Sequence, residues 1–240
     1  MRALAAQTRM EIVLTMRRGE SLLLILGIPL LLLGFFSSVD VLPKGDFRHS
    51  VDFLTPGVLA LAVMSTGMVQ LAIGTSFERQ YGVLKRLGAT PLGRPRLLTA
   101  KTLSIVAVEV VQIVLLIALA IALGWDVSVR PGVIAAVVLG TIAFSGLGLL
   151  MAGTLRGEVT LAAANGLYLV LLLVGGMMVP LSELPSGLRA VAELLPSGAL
   201  AQALVGTLST AHAVPTKAWI VLAVWAVIAP LVAARLFRWE

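Results

Sequence analysis

Apolar runs close to 20 residues recur along this chain and leave it little choice of fold. They fall at Ser21–Ser37, Thr55–Ser76, Thr102–Gly124, Pro131–Leu155, Val159–Val179 and Lys217–Phe237. A helix rises about 1.5 Å per residue, so about 20 residues cross a bilayer's hydrocarbon core. Only 12% of the residues are charged, half the roughly 25% of a soluble domain. The expected class is an all-α polytopic membrane protein with six transmembrane helices in one domain, residues 1–240. The first run is short and holds Pro29, so a kinked or thinned crossing is expected there.

Lysine and arginine set the orientation, because they collect on the cytoplasmic side. With the N-terminus inside, the inner segments hold 13 of the 18 basic residues and the outer segments 5. Both termini are therefore expected in the cytoplasm. Trp219 and Trp239 lie 20 residues apart, about 30 Å along a helix, which suits an aromatic anchor at each interface. Residues 1–20 mix Leu4, Ile12, Val13, Leu14 and Met16 with four arginines. That pattern fits an interfacial helix on the inner leaflet, with a frayed basic tail as the plainer alternative. No Ala-x-Ala type site follows the first run before Asp40, so that run is expected to remain as an anchor. Residues 182–212 hold two half-length apolar segments, with Ser186 and Ser197 as expected caps and Pro196 between them. They are expected to form a hairpin on the outer side, packed on the bundle before the last span.

Much chemistry is absent. There is no phosphate-binding loop of the G-x-x-x-x-G-K-[ST] kind, no H-E-x-x-H and no G-x-S-x-G. The chain has no cysteine, and its two histidines, His49 and His212, fall in different outer segments. No catalytic residue, metal site or cofactor of its own is expected. The net charge of +6 does not point to nucleic acid, because the basic residues flank apolar runs and form no single stripe.

Four groups of residues remain. Glu109 sits inside the third run with Gln112 one turn on, and Asn165 lies in the fifth. A carboxylate in a span is costly and faces the bundle interior or water. Glu109 reads as a contact for a substrate, as a proton site, or as a hydrogen bond joining helices. Gln112 and Asn165 are candidates for the same path, Asn165 also for a buried amide between helices. Gly140, Gly146, Gly148 and Gly153 in the fourth run, with Gly166, Gly175 and Gly176 in the fifth, permit close helix approach, for tight packing or for a sliding or dimer surface. The fourth group is the loop after the second run. It carries six of the 18 basic residues between Arg79 and Lys101, and Val83, Leu84 and Leu87 make an apolar stripe that ends at Thr90-Pro91. An amphipathic helix of this kind docks in a groove of a soluble partner, and the plain alternative is a charged inner loop.

The loop belongs to a longer pattern. Asp52-Phe53-Leu54-Thr55-Pro56-Gly57 opens the second run. Phe77-Glu78-Arg79-Gln80-Tyr81-Gly82-Val83-Leu84-Lys85-Arg86-Leu87 and Thr90-Pro91-Leu92 follow it. A second block runs Gly175-Gly176-Met177-Met178-Val179-Pro180-Leu181-Ser182-Glu183-Leu184-Pro185, ending at Leu195-Pro196. With these blocks the sequence resembles the permease subunits of type-two ATP-binding-cassette exporters, the drug, lipid and polysaccharide exporters of bacteria. The resemblance implies a multi-pass protein of the bacterial inner membrane that pairs with a copy of itself or a paralogue. It implies cytoplasmic ATPase subunits that hold the ATP and Mg. It implies a coupling loop over residues 77–96, with Glu78, Arg79, Tyr81, Gly82, Val83, Leu84, Leu87 and Pro91 meeting the ATPase and Arg156 and Glu158 adding a lesser contact. Carbohydrate exporters of this kind tend to line their path with aromatics, and this chain has only 5%. That leans toward an apolar drug, antibiotic or lipid. The competing expectations are a stand-alone transporter that couples protons through Glu109, and a membrane scaffold that transports nothing.

Overall fold

The computed structural model describes residues 2–17, 19–39, 47, 49–88, 93–126, 129–209 and 213–238. Every regular element among them is a helix. Two helices come first, α1 (Arg2–Arg17) and α2 (Gly19–Ser38). One long span follows, made of α3 (Ser50–Met64), a π-helical segment (Ser65–Gln70) and α4 (Leu71–Gln80). Then come the short α5 (Val83–Gly88) and the spans α6 (Arg94–Ala122), α7 (Gly132–Thr154) and α8 (Gly157–Val174). A 3-10 turn (Leu181–Glu183) leads to α9 (Ser186–Ala192), α10 (Pro196–Leu208) and the last span, α11 (Thr216–Leu236).

Among the described residues, five helices are long and apolar enough to cross a membrane: residues 50–80, 96–122, 132–154, 157–174 and 216–236. A sixth is reached if α9 and α10, which bend by 86°, count as one broken span. The first expected crossing, α2, is apolar over the shorter stretch Leu23–Ser38. It runs through Pro29 as one helix.

Boundaries moved for local reasons. The second span continues past Ser76 to Gln80, because nothing from Phe77 to Gln80 disfavours a helix. It stops where Gly82 takes a left-handed φ of 69°. The third span starts at Arg94 instead of Thr102. Gly93, at φ 74°, turns the chain in, and Pro95 is tolerated because first-turn N–H groups lack helical partners. The expected serine caps are displaced, Ser186 by one residue and Ser197 by two: Pro185 and Leu195 stand at the N-cap positions, and Ser186 and Pro196 begin the helices. The N-terminus of α3 is closed by the His49 backbone N–H, which donates to Asp52 Oδ2 at 3.3 Å. His49 itself is exposed, and His212 and Trp239 lie outside the described residues.

Lipid offers helices no hydrophobic reason to associate, so close packing of small residues must do it. The central helix α7 shows how. A Cβ added at Gly146 would fall 2.7 Å from the Ala229 carbonyl carbon on α11, and one at Gly148 would fall 2.7 Å from the Met68 carbonyl oxygen of the π segment. These glycines let α7 pack along α11 and α4, with α10 filling the remaining side. Gly166 on α8 has nothing near it, so the fifth-run glycines do not all serve packing within the chain. The larger core joins α3, the π segment, α7 and α10. A smaller one closes the end of the bundle where α4, α5 and α6 meet.

Candidate functional site

At that end the helix α5 is held between two glycine joints, Gly82 and Gly93, both with positive φ. Its apolar stripe turns inward. Leu84 is fully buried with Leu71, Leu97, Ile105 and Leu149, and Leu87 packs on the same cluster. This differs from the expectation that the stripe faces a partner. The nearest apolar cover comes from the chain's own α6 and α7, so Leu84 and Leu87 anchor the helix. The outward surface carries Tyr81, Val83, Lys85 and Arg86. Tyr81 is 68% exposed and stacks on Phe77 with ring centres 6.2 Å apart. Exposed Arg156 and Glu158 lie on the adjoining turn, where Gly157 packs closely on Gln80 and Phe77. Pro91 lies outside the described residues.

Glu78 and Arg79 end the long span and also turn inward. Arg79 donates from its guanidinium to the Gly153 and Leu155 carbonyls at the C-terminus of α7. Those carbonyls lack helical partners, and a cation there also meets the negative end of the helix dipole. Glu78 pairs with Lys101, which is 3% exposed. Lys101 Nζ also donates to both Glu11 oxygens at 3.1 Å. Three helices, α1, α4 and α6, thus meet at one buried ammonium.

Above this node lies a groove of about 540 Å³ between α2, the π segment, α4 and α8, with Thr15 of α1 at its edge. Most of its wall is apolar: Leu24, Ile25, Ile28, Val69 and Ile73. Its polar groups are Thr15 from α1, Ser65 and Gln70 from the π segment, Asn165 and Tyr168 from α8, the paired Glu78, and Tyr81 at the end toward α5. The wider π turn presents both Ser65 and Gln70 to the groove, and π-bulges recur at functional sites. Asn165 is exposed and donates only to the Leu161 carbonyl of its own helix, at 2.8 Å. It is therefore no buried amide between helices, since the α8 face that carries it is not packed within the chain.

Glu109 and Gln112 lie apart from the groove lining. Glu109 Oε2 accepts from Thr141 Oγ1 at 2.7 Å, which joins α6 to α7. Gln112 accepts from Thr66 Oγ1 at 2.9 Å and donates from Nε2 to the Ile25 carbonyl at 2.7 Å. It so ties α6 to the π segment and to α2. Both are buried, at 2% and 1% exposure, and both join helices. The sequence reading missed Lys101 and the pair Ser65 and Gln70. Gln70, an amide inside an apolar run, was the available signal. Nothing in the sequence marks Lys101 apart from other inner basic residues.

None of the curated proteins matches this chain. The family model for the ABC-2 type transporter matches residues 2–208, most of the chain and all of the elements just described except α11. The chain belongs to the ABC-2 type transporter family and is the transmembrane permease of an ABC transporter.

Proposed function

We propose that this permease exports apolar compounds through the groove, as one half of a pair and under the drive of separate cytoplasmic ATPase subunits. The groove carries the reading. It is large enough for a drug-sized molecule, apolar over most of its wall, and fitted with neutral hydrogen-bonding groups from two facing elements. Its carboxylate, Glu78, is held in an ion pair with Lys101. A substrate with an apolar body and uncharged polar groups suits this lining better than an ion or a sugar chain. An apolar drug, antibiotic or lipid meets that description.

A second permease, a copy or a paralogue, covers the open face of α8. An amide is costly against lipid, and Asn165 with Gly166 sits on that face. The exposed face of α11, by contrast, is apolar from Ile220 to Leu231 and suits lipid. The ATPase, which binds the ATP and Mg, docks on Tyr81, Val83, Lys85 and Arg86 of the handle, with Arg156 and Glu158 beside them. This end is cytoplasmic in a bacterial inner membrane, by the excess of basic residues on that side, and both termini share it.

The test is co-purification followed by transport in vesicles. Charge reversal at both Lys85 and Arg86 is expected to leave the permease folded, to release the ATPase and to stop transport. Leu84→Asp is the contrasting variant, expected to lose folded protein, since it buries a carboxylate at a cost of roughly 4 kcal/mol or more. Full ATP-driven transport by the charge-reversed protein would remove the docking assignment.

A further inference from the structure

Lys101 carries no role in the family pattern read from the sequence, yet it holds the most connected buried charge among the described residues. Its ammonium meets Glu78 on the last turn of α4 and both oxygens of Glu11 on α1. Glu11 is further fixed by Gln7, whose Nε2 donates to Glu11 Oε1 at 2.9 Å. One residue beyond Glu78, Arg79 grips the end of α7. The node therefore sits where the interfacial helix, the end of the second span and the start of the third converge.

Its position relative to the handle gives it a task. The handle α5 is joined to α4 through Gly82 and leads into α6 through Gly93, and both glycines hold backbone conformations that permit a hinge. A push on a helix between two hinges can splay its supports or move them together. Leu84 against Leu97 resists splaying only by packing. The ion pairs of Lys101 resist it by charge, because separation would leave a carboxylate and an ammonium unpaired in a dry site. Glu78 is also part of the groove wall, with Phe77 on the same helix and Tyr81 just beyond it. A displacement that keeps α4 and α6 together therefore reaches the groove.

We infer that Lys101 is a positioning residue of the transport stroke: it clamps α1, α4 and α6 into one unit, so that displacement of the handle moves the groove wall. This rests on the proposal that the handle receives the ATPase. Neither a lone surface pair nor a plain core lysine would act this way. The first would be worth little, and the second would have no reason to hold carboxylates from two other helices.

The experiment measures transport per ATP hydrolysed, in vesicles that hold the permease with its ATPase. Lys101→Met is expected to keep the ATPase bound and hydrolysing while transport per ATP falls about tenfold, the scale of a single coupling interaction. Lys101→Arg is expected to restore most of it, because a cation at this position still meets both Glu11 and Glu78. A Lys101→Met protein with bound ATPase and unchanged transport per ATP would overturn the clamp. Should no ATPase bind even the parent, the docking reading fails and the clamp is judged on the permease alone. The chain has no cysteine, so spin labels at Met10→Cys on α1 and Tyr81→Cys beyond α4 report their separation. One narrow distance in the parent that broadens in Lys101→Met and narrows again in Lys101→Arg supports the clamp. The same distribution in all three refutes it. Should Lys101→Met not fold, Glu11→Gln decides by the same two readouts: it leaves Lys101 paired with Glu78 and loosens α1, so a broadened distance and lower transport per ATP support the clamp and the parent's values refute it.

Discussion

Arg79 illustrates how the surroundings of a single side chain depend on neighbours that its own segment does not show. Its position in a basic loop suggests a surface charge for a partner. In the fold its planar guanidinium reaches the Gly153 and Leu155 carbonyls together, a geometry an ammonium does not reproduce. Arg79→Ala is expected to cost about 2 kcal/mol, the range of hydrogen bonds to a charged group. Thermal unfolding in detergent measures it, and Arg79→Lys should recover less than half of the loss. An unchanged midpoint for Arg79→Ala would return this residue to the docking surface. Glu109 teaches the same lesson from the other side. A carboxylate in a span reads as a substrate contact, a proton site or a hydrogen bond joining helices, and in the fold it accepts from Thr141, which joins α6 to α7.

At the scale of elements, the π segment and the bent pair of helices carry the predictions. A π turn accommodates one residue more than an α-helix needs, so both flanking helices keep their faces when it is removed. Deletion of Val69 is therefore expected to close the second span as a regular helix, with α4 still placing Glu78 and Arg79 on their partners. Stability should be nearly kept, while substrate stimulation of the ATPase falls because Ser65 and Gln70 no longer face the groove as they do. Collapse of the fold would show that the segment is structural instead.

The bent pair α9 and α10 is tied at its corner by Glu193, which accepts from Lys217 Nζ at 2.8 Å and from Arg189 Nε at 3.2 Å. The Lys217 hydrogen bond, with a smaller part from Arg189, holds this carboxyl below the usual carboxylate range, against the opposing effect of burial. A depressed value means the tie is complete at neutral pH and is lost only as pH falls through that lowered value. The protection of amides at the corner, taken relative to the intrinsic exchange rate at each pH, should stay level from about pH 7 to about pH 5 and fall on further acidification. Glu193→Gln should abolish the acid dependence. The effect is small because the group is largely exposed.

At the scale of the whole molecule, α8 and α11 are equally little buried, each at 22%, and the residues on their faces tell them apart. Gly166→Cys on the α8 face is expected to form a disulfide between two copies under mild oxidation in membranes, if the pair is a homodimer. Val227→Cys on the apolar face of α11 should stay single. Cross-linking through residue 227 and not 166 would move the pairing surface to α11. If neither residue cross-links but a second permease co-purifies, the pair is a heterodimer.

Hydropathy determined the class of this protein and the approximate place of its spans, because the need to bury apolar surface and close backbone hydrogen bonds is written in each segment by itself. The close glycine contacts of α7 and the break between α9 and α10 at Pro196 followed from similarly local signals. The direction in which a polar side chain points was another matter. Leu84, Glu78 and Arg79 face inward, and Asn165 faces outward, because of neighbours supplied by helices tens of residues away. Lys101 could become a junction only once Glu11, 90 residues earlier, was folded against it. A charge in a span is affordable only beside its partner, and that partner is chosen by packing between helices, which no single segment encodes.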